Sequence, residues 1–352
     1  MRGAIATALE LVLVEPGSWV VALAGFLARG GVLLFVLLVV ELPSPITVTL
    51  IFGVDAVTGT GQPTERLVVA IVTGVVAAGV TLLAMLMAAA WTDVVAYSRA
   101  RPAIQPERPF ATPPERPFAT PPERGMLASL GDVLGVAWLQ SLGLIPAVVA
   151  FALAAPIVGQ VAVGELLLPS SSEVPYLLRV IAGAQLPLVR AVVVLALVEL
   201  VVTVATRRYL GAGSARSVVR AFGSALATIV RRPLSIAGAW TVGWIVLVGA
   251  AGAGVWAVSL AWGEVRSAFL DRSLALPFLP GGCEAAACSD PEALALSTLG
   301  AAAAVALFVA VWIAALAAVG VASAFRSSLW ALVVSDPIEA RLGVRWPADA
   351  PV

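Results

Sequence analysis

The chain has 352 residues, 61% of them hydrophobic and only 12% charged, with a mean hydropathy of +1.02. Soluble domains carry roughly a quarter charged residues, and several apolar runs here exceed the ~20 residues that cross a hydrocarbon layer. That excludes a soluble helical core, and the balance of 21 basic against 21 acidic residues gives no footing for nucleic acid.

All the basic residues are Arg, with no Lys and no His. The missing His removes Ser-His dyads, His-ligated zinc and His-based phosphatases. The missing Lys removes P-loop and Schiff-base chemistry. Only Glu- or Ser/Tyr-based catalysis stays conceivable, so the chain is read as a non-enzyme with no cofactor. Ala, Val, Leu and Arg dominate, as in a GC-rich bacterial gene, and a bacterial cytoplasmic membrane is the expected location.

The N-terminal MRGAIATALELVLVEPG has two Glu and no uninterrupted apolar core, so it does not read as a cleavable signal peptide. Span one follows at about Trp19–Glu41, with Arg29 inside it, and span two at about Leu67–Trp91. Then comes PERPFATPPERPFATPPER, Pro106 to Arg124, in which ERPFATPP is written twice and begun again. Proline forbids a helix and favours polyproline II, which makes a semi-rigid spacer. A docking or phosphorylation segment is one reading; a duplication tolerated in a solvated linker is the plainer one.

Span three is expected at about Leu134–Val163, opened by MLASLGDVLGVAWLQSLGLIP, and span four at about Val180–Thr206, with Arg190 and Glu199 inside it. The next segment, AFGSALATIVRRP, aligns without gaps on AIATALELVLVEP near the N-terminus. Ala221 meets Ala4, Ala225 meets Ala8, Leu226 meets Leu9 and Pro233 meets Pro16. Val218, Phe222, Leu226 and Ile229 form an apolar stripe at helical spacing, with Arg216, Arg220 and Arg231 largely off it. A helix lying in the headgroup plane has that pattern.

Spans five and six complete the set at about Ile236–Trp262 and Ala293–Phe325. Spans three and six are longer than a bilayer requires. Gly249, Gly252, Gly254 and the run from Gly300 suit close helix packing. They also leave room for a homo-oligomer or another membrane protein as partner, besides the lipid bilayer itself. Between spans five and six, Cys283 and Cys288 in GGCEAAACSD are expected to form a disulfide if that loop is extracytoplasmic; without His they make a poor metal site.

Arginine placement orients the spans. With both termini inside, fifteen Arg fall on the cytoplasmic side, and four Arg with ten acidic residues fall outside. Trp19, Trp91 and Trp330 then lie at cytoplasmic ends and Trp262 at an outer end, where indole prefers the interface, while Trp244 and Trp312 read as packing residues.

The expected fold is an all-α, polytopic membrane helix bundle of six spans with cytoplasmic interfacial helices. Three units, each a helix followed by a two-span hairpin, are read at 1–91, 126–206 and 207–330, with a linker at 92–125 and a tail at 331–352. Helix, Pro and hairpin, carried by ALELVLVEPGSW and ALATIVRRPLSI, resemble bacterial six-span families such as the membrane domain attached to some glycerophosphodiester phosphodiesterases. The resemblance covers most of the chain as a pattern. The hydrolase's catalytic domain is absent here, so no activity and no catalytic residue carries over.

Arg29, Arg190 and Glu199 are the ionisable residues expected inside spans, where charge is expensive and suggests function. Arg190 and Glu199, nine residues apart, lie on opposite sides of one helix. An Arg29–Glu199 pair is therefore expected, either as a structural clamp or as part of a polar pathway that Gln140, Gln160 and Gln185 would extend. With no strong break expected in any span, an assembly or scaffold component is favoured over a transporter-like protein for a small or amphipathic solute.

The orientation makes a direct prediction. Cysteines introduced at Thr58 and Thr112 should label from opposite sides of intact cells, with only Thr58 reachable from outside; labelling of both from one side contradicts six spans.

Overall fold

The structure is a computed structural model that describes residues 2–36, 65–104, 126–167, 176–212, 217–274 and 291–334. Cys283, Cys288 and the proline-rich tandem lie outside the described residues. Every described element is helical: α1 (Arg2–Val14), α2 (Gly17–Phe26), a π-helical turn (Leu27–Gly31), α3 (Val32–Val36), α4 (Glu65–Ile104) and α5 (Met126–Leu167). The chain continues with α6 (Tyr176–Gly183), α7 (Gln185–Gly211), α8 (Val218–Arg231), α9 (Pro233–Leu274) and α10 (Pro291–Val334).

Six helical stretches are long and apolar enough to cross a membrane, so the chain is an all-α, multi-pass membrane protein. In hydrocarbon every backbone N–H and C=O must be satisfied within its own segment, and a helix does this without partners. The helices run on well past the apolar layer. α4, α5, α9 and α10 have 40, 42, 42 and 44 residues, about 60–66 Å at 1.5 Å per residue. Residues 92–104, read from sequence as the start of a linker, are helical in α4.

Other boundaries shift for local reasons. Span one is interrupted at Arg29 and Gly30, where φ reaches 98° at Gly30. Span four begins only at Gln185, because Ala184, at φ −106° and ψ 19°, separates α6 from α7. Pro16 and Pro233 stand at helix starts, as their missing N–H favours. Pro146 instead sits inside continuous α5, together with Pro156. Trp330, placed at an interface from sequence, is only 1% exposed and is a packing residue.

The chain divides into two compact units. The first comprises Met1–Leu11, Ala90–Thr241 and Ser327–Val352. Its centre is the α5–α7 pair, antiparallel and closely apposed because α5 offers glycines. A Cβ on Gly135 would lie 1.9 Å from the Tyr209 hydroxyl, and one on Gly143 would lie 2.1 Å from Cγ2 of Val202. α8 packs on α7 through Ala221, Ala225 and Thr228, all buried. Arg179 of α6 pairs with Glu165 of α5 at 2.8 Å.

The second unit comprises Val12–Ala89 and Val242–Arg326. Phe35, Leu247, Ala251, Val258, Val319 and Ala322 form its core, with Leu23 and Phe26 packed against them. Of the glycines read as packing positions, Gly254 serves that role, since a Cβ there would meet Ala315 at 3.1 Å; Gly249, Gly252 and Gly300 face open space. Trp262, Phe308 and Trp312 form an aromatic ladder with centroids 5.3 and 6.4 Å apart. Trp244 carries the Arg326 guanidinium 4.6 Å above its ring. Residues 71–84 of α4 are all exposed, and burial becomes complete at Ala89 and Ala90.

The close approach of α5 and α7 is testable. Gly143→Ala should destabilise the protein by roughly 1–3 kcal/mol through overpacking, seen as a lower thermal midpoint in detergent. Val202→Ala in the same chain should restore most of the loss.

Candidate functional site

Charge is absent from residues 67–92 of α4, 133–164 of α5 and 293–325 of α10. Asp93, which ends the first of these runs, forms the most developed polar site in the first unit together with Arg207 of α7, Gln140 of α5 and Ser327 of α10. Arg207 is only 4% exposed. Its Nη1 donates to the Asp93 carbonyl oxygen at 3.2 Å, and its Nη2 donates both to Asp93 Oδ1 at 3.3 Å and to Ser327 Oγ at 2.8 Å. Gln140 Nε2 donates to the other carboxylate oxygen of Asp93 at 2.7 Å. Four helices, α4, α5, α7 and α10, therefore meet on one ion pair.

The depth of this node follows from its neighbours. Trp91 and Trp138 stand two residues before Asp93 and Gln140, on the opposite faces of α4 and α5, and are 50% and 61% exposed. Indole prefers headgroup depth, which fits a node at the boundary between hydrocarbon and water. Asp132 is also buried, eight residues before Gln140 on α5.

The three residues singled out from sequence are placed as follows. Glu199 lies in the first unit, where Thr203 Oγ1 donates to Oε1 at 3.0 Å and Trp240 Nε1 to Oε2 at 3.0 Å. Arg190 is exposed, five residues into α7, and makes no polar contact among the described residues. From there its stem can carry the guanidinium to the headgroups.

Arg29 lies in the second unit, at the interruption of span one. Its Nη1 donates to the Gly25 carbonyl at 3.4 Å and its Nη2 to the Ala89 carbonyl at 3.3 Å. Ala89 is four residues from Asp93, so Arg29 reaches the charged end of α4, not its apolar middle.

The sequence ARGG specifies this interruption. Gly30 takes a left-handed φ that a side chain resists. Gly31 is buried against Phe26, where a Cβ would lie 2.2 Å from the ring. Widening the turn disturbs the i→i−4 ladder, and the Arg29 guanidinium supplies donors to the Gly25 carbonyl before the break and to the Ala89 carbonyl of α4. Sequence reasoning did not find the break, although two adjacent glycines beside an intramembrane Arg were its signal.

The linear sequence does not single out the node, because Arg207 and Asp93 stand where charges ordinarily end a span. The signal it does carry is a pair of opposite charges, Asp93 closing the long uncharged run of α4 and Arg207 near the end of α7.

Chemically, the node is a set of donors and acceptors, centred on the Asp93–Arg207 pair, that grips four helices. Among the described residues no group of three or more His, Cys, Asp or Glu is placed to hold a metal ion. Compared with known proteins, the chain matches no family model, and neither a curated protein nor a solved structure is significantly similar to it.

The node should be strongly coupled. Arg207→Leu or Asp93→Leu alone leaves a buried charge without its partner, a loss of roughly 3–5 kcal/mol. The double substitution should recover much of that loss in a double-mutant cycle on thermal stability. Strictly additive effects would show that the pair is not energetically formed.

Proposed function

We propose that this protein is a non-enzymatic component of a bacterial cytoplasmic membrane, acting in membrane assembly, scaffolding or organisation, with both termini in the cytoplasm. The observation that carries this reading is that the charges of Asp93, Arg207, Glu199 and Arg29 are taken up locally. Asp93 and Arg207 hold each other with Gln140 and Ser327. Glu199 is held by Thr203 and Trp240, and Arg29 by two carbonyls. A scaffold needs its polar groups committed to its own helices, whereas a solute pathway needs some of them available to cargo.

The same reading takes α1 and α8 as interfacial helices and the helix–Pro–span unit as written twice. Burial supports it. Ala8 and its counterpart Ala225 are fully buried, while Leu9 and Leu226, like Leu13 and Val230, are exposed. The buried strip is not the one read from sequence, since Leu226 faces outward and the small residues face α7.

A second reading, a transporter-like protein for a small or amphipathic solute, is favoured by one observation. Span one is discontinuous at Arg29–Gly30, and broken helices are where many transporters bind their substrates.

Accessibility separates the two. In a background carrying Cys283→Ser and Cys288→Ser, Ala28→Cys and Thr203→Cys should react with a charged, membrane-impermeant thiol reagent no faster than lipid-facing Val75→Cys. Rapid modification of Ala28→Cys and Thr203→Cys would overturn the scaffold reading in favour of a water-filled pathway.

A further inference from the structure

Residues 200–263 contain six arginines and no acidic residue. Most of those arginines flank α8, whose surface has three distinct strips. Ala221, Ala225 and Thr228 are buried against α7. Val219, Leu226 and Val230, at spacings of seven and four, are 82%, 54% and 78% exposed, and Leu234 just beyond continues the line at 88%. Arg220 and Arg231 lie on the edge between these strips and are also exposed. An exposed aliphatic line bordered by arginines, with no acid on the helix, complements the boundary between acyl chains and anionic headgroups.

One arginine is prepared for a ligand. Arg208, at the end of α7, donates its Nε to Thr228 Oγ1 at 3.1 Å. Thr228 is buried and donates its own hydroxyl proton to the Ser224 carbonyl at 2.7 Å, so its oxygen is fixed as the acceptor. The guanidinium is thus held by its inner nitrogen, and among the described residues its two terminal amino groups make no hydrogen bond. Arg231 follows Thr228 by three residues on α8, the spacing at which helix side chains are neighbours, and makes no polar contact among the described residues. The neighbouring residue on α7, Arg207, belongs to the node that exposed Trp91 and Trp138 place at headgroup depth.

We propose that Arg208 and Arg231 form a binding site for the phosphate of an anionic phospholipid, with its acyl chains against the Val219–Leu226–Val230 line of α8. A guanidinium fixed at Nε presents its two outer amino groups as a fork, which matches two phosphate oxygens. A phosphate fits better than a soluble acidic partner because the aliphatic line beside the fork is open to lipid. The site rests on the multi-pass membrane fold alone and is independent of whether the protein is a scaffold or moves a solute.

The test compares thermal unfolding of the full-length protein in neutral detergent with added phosphatidylglycerol, phosphatidylcholine or inorganic phosphate. Phosphatidylglycerol should raise the midpoint clearly more than phosphatidylcholine does. Arg208→Gln with Arg231→Gln should remove at least half of that difference. Arg220→Gln, eight residues before Thr228, should preserve it.

Thr228→Val, which keeps volume but frees the Arg208 guanidinium, should weaken the difference and serves if the double variant does not fold. Equal effects of the two lipids, or equal loss from Arg220→Gln, would overturn the site in favour of diffuse charge attraction. A full rise with inorganic phosphate alone would overturn the lipid as its occupant.

Discussion

Charge at the edge of a bilayer must be cancelled where it stands, and in this protein the cancellation of Asp93 by Arg207 decides where four helices meet. The pair is not balanced by Coulomb attraction alone. Burying both ions costs several kcal/mol each, which attraction repays only when the remaining donors and acceptors are also satisfied. Gln140 and Ser327 supply part of that satisfaction, one to the carboxylate and one to the guanidinium. Since each of the four groups rides on a different helix, the electrostatic requirement becomes a requirement on helix register. A one-residue change of register in α5 would carry Gln140 about 100° around the helix axis and out of reach.

The interruption at Arg29 obeys the same rule at the level of the backbone. Hydrocarbon tolerates non-helical backbone only where the freed polar groups find partners inside the protein. Here the partners come from the residue at the break itself, while Gly30 provides the dihedral and Gly31 the space for Phe26. Arg29 thus reads as part of the break as much as a charge in a span. Its two contacts, to Gly25 and Ala89, tie the break to α4.

Hydropathy revealed the six spans because lipid leaves an apolar chain little choice but helix. It did not reveal how far those helices run on, since the residues beyond the spans in α4 are ordinary polar and aliphatic ones with no stop signal before Pro102. Counting arginines by side treats Arg207 and Arg208 as equivalent, whereas one is sealed in an ion pair and the other hangs from a threonine. Linear pattern cannot separate them, because the difference lies in what other helices bring. Trp330 misled for a related reason: its position in the chain suits an interface, and only its neighbours bury it. On α8 the helix itself was legible, but its small residues, not its large ones, turned out to be the contact face, as close packing of membrane helices prefers.

The long exposed stretch of α4 has a mechanical consequence. Residues 71–84 are exposed, and burial becomes complete only at Ala89 and Ala90. The helix is in effect a beam clamped at Ala89, stiff along its length because its hydrogen bonds are internal. Glu65 lies about 36 Å from the clamp at 1.5 Å per residue. Because the stretch is a rigid lever, an angular change of about 10° at Ala89 corresponds to about 6 Å at that end.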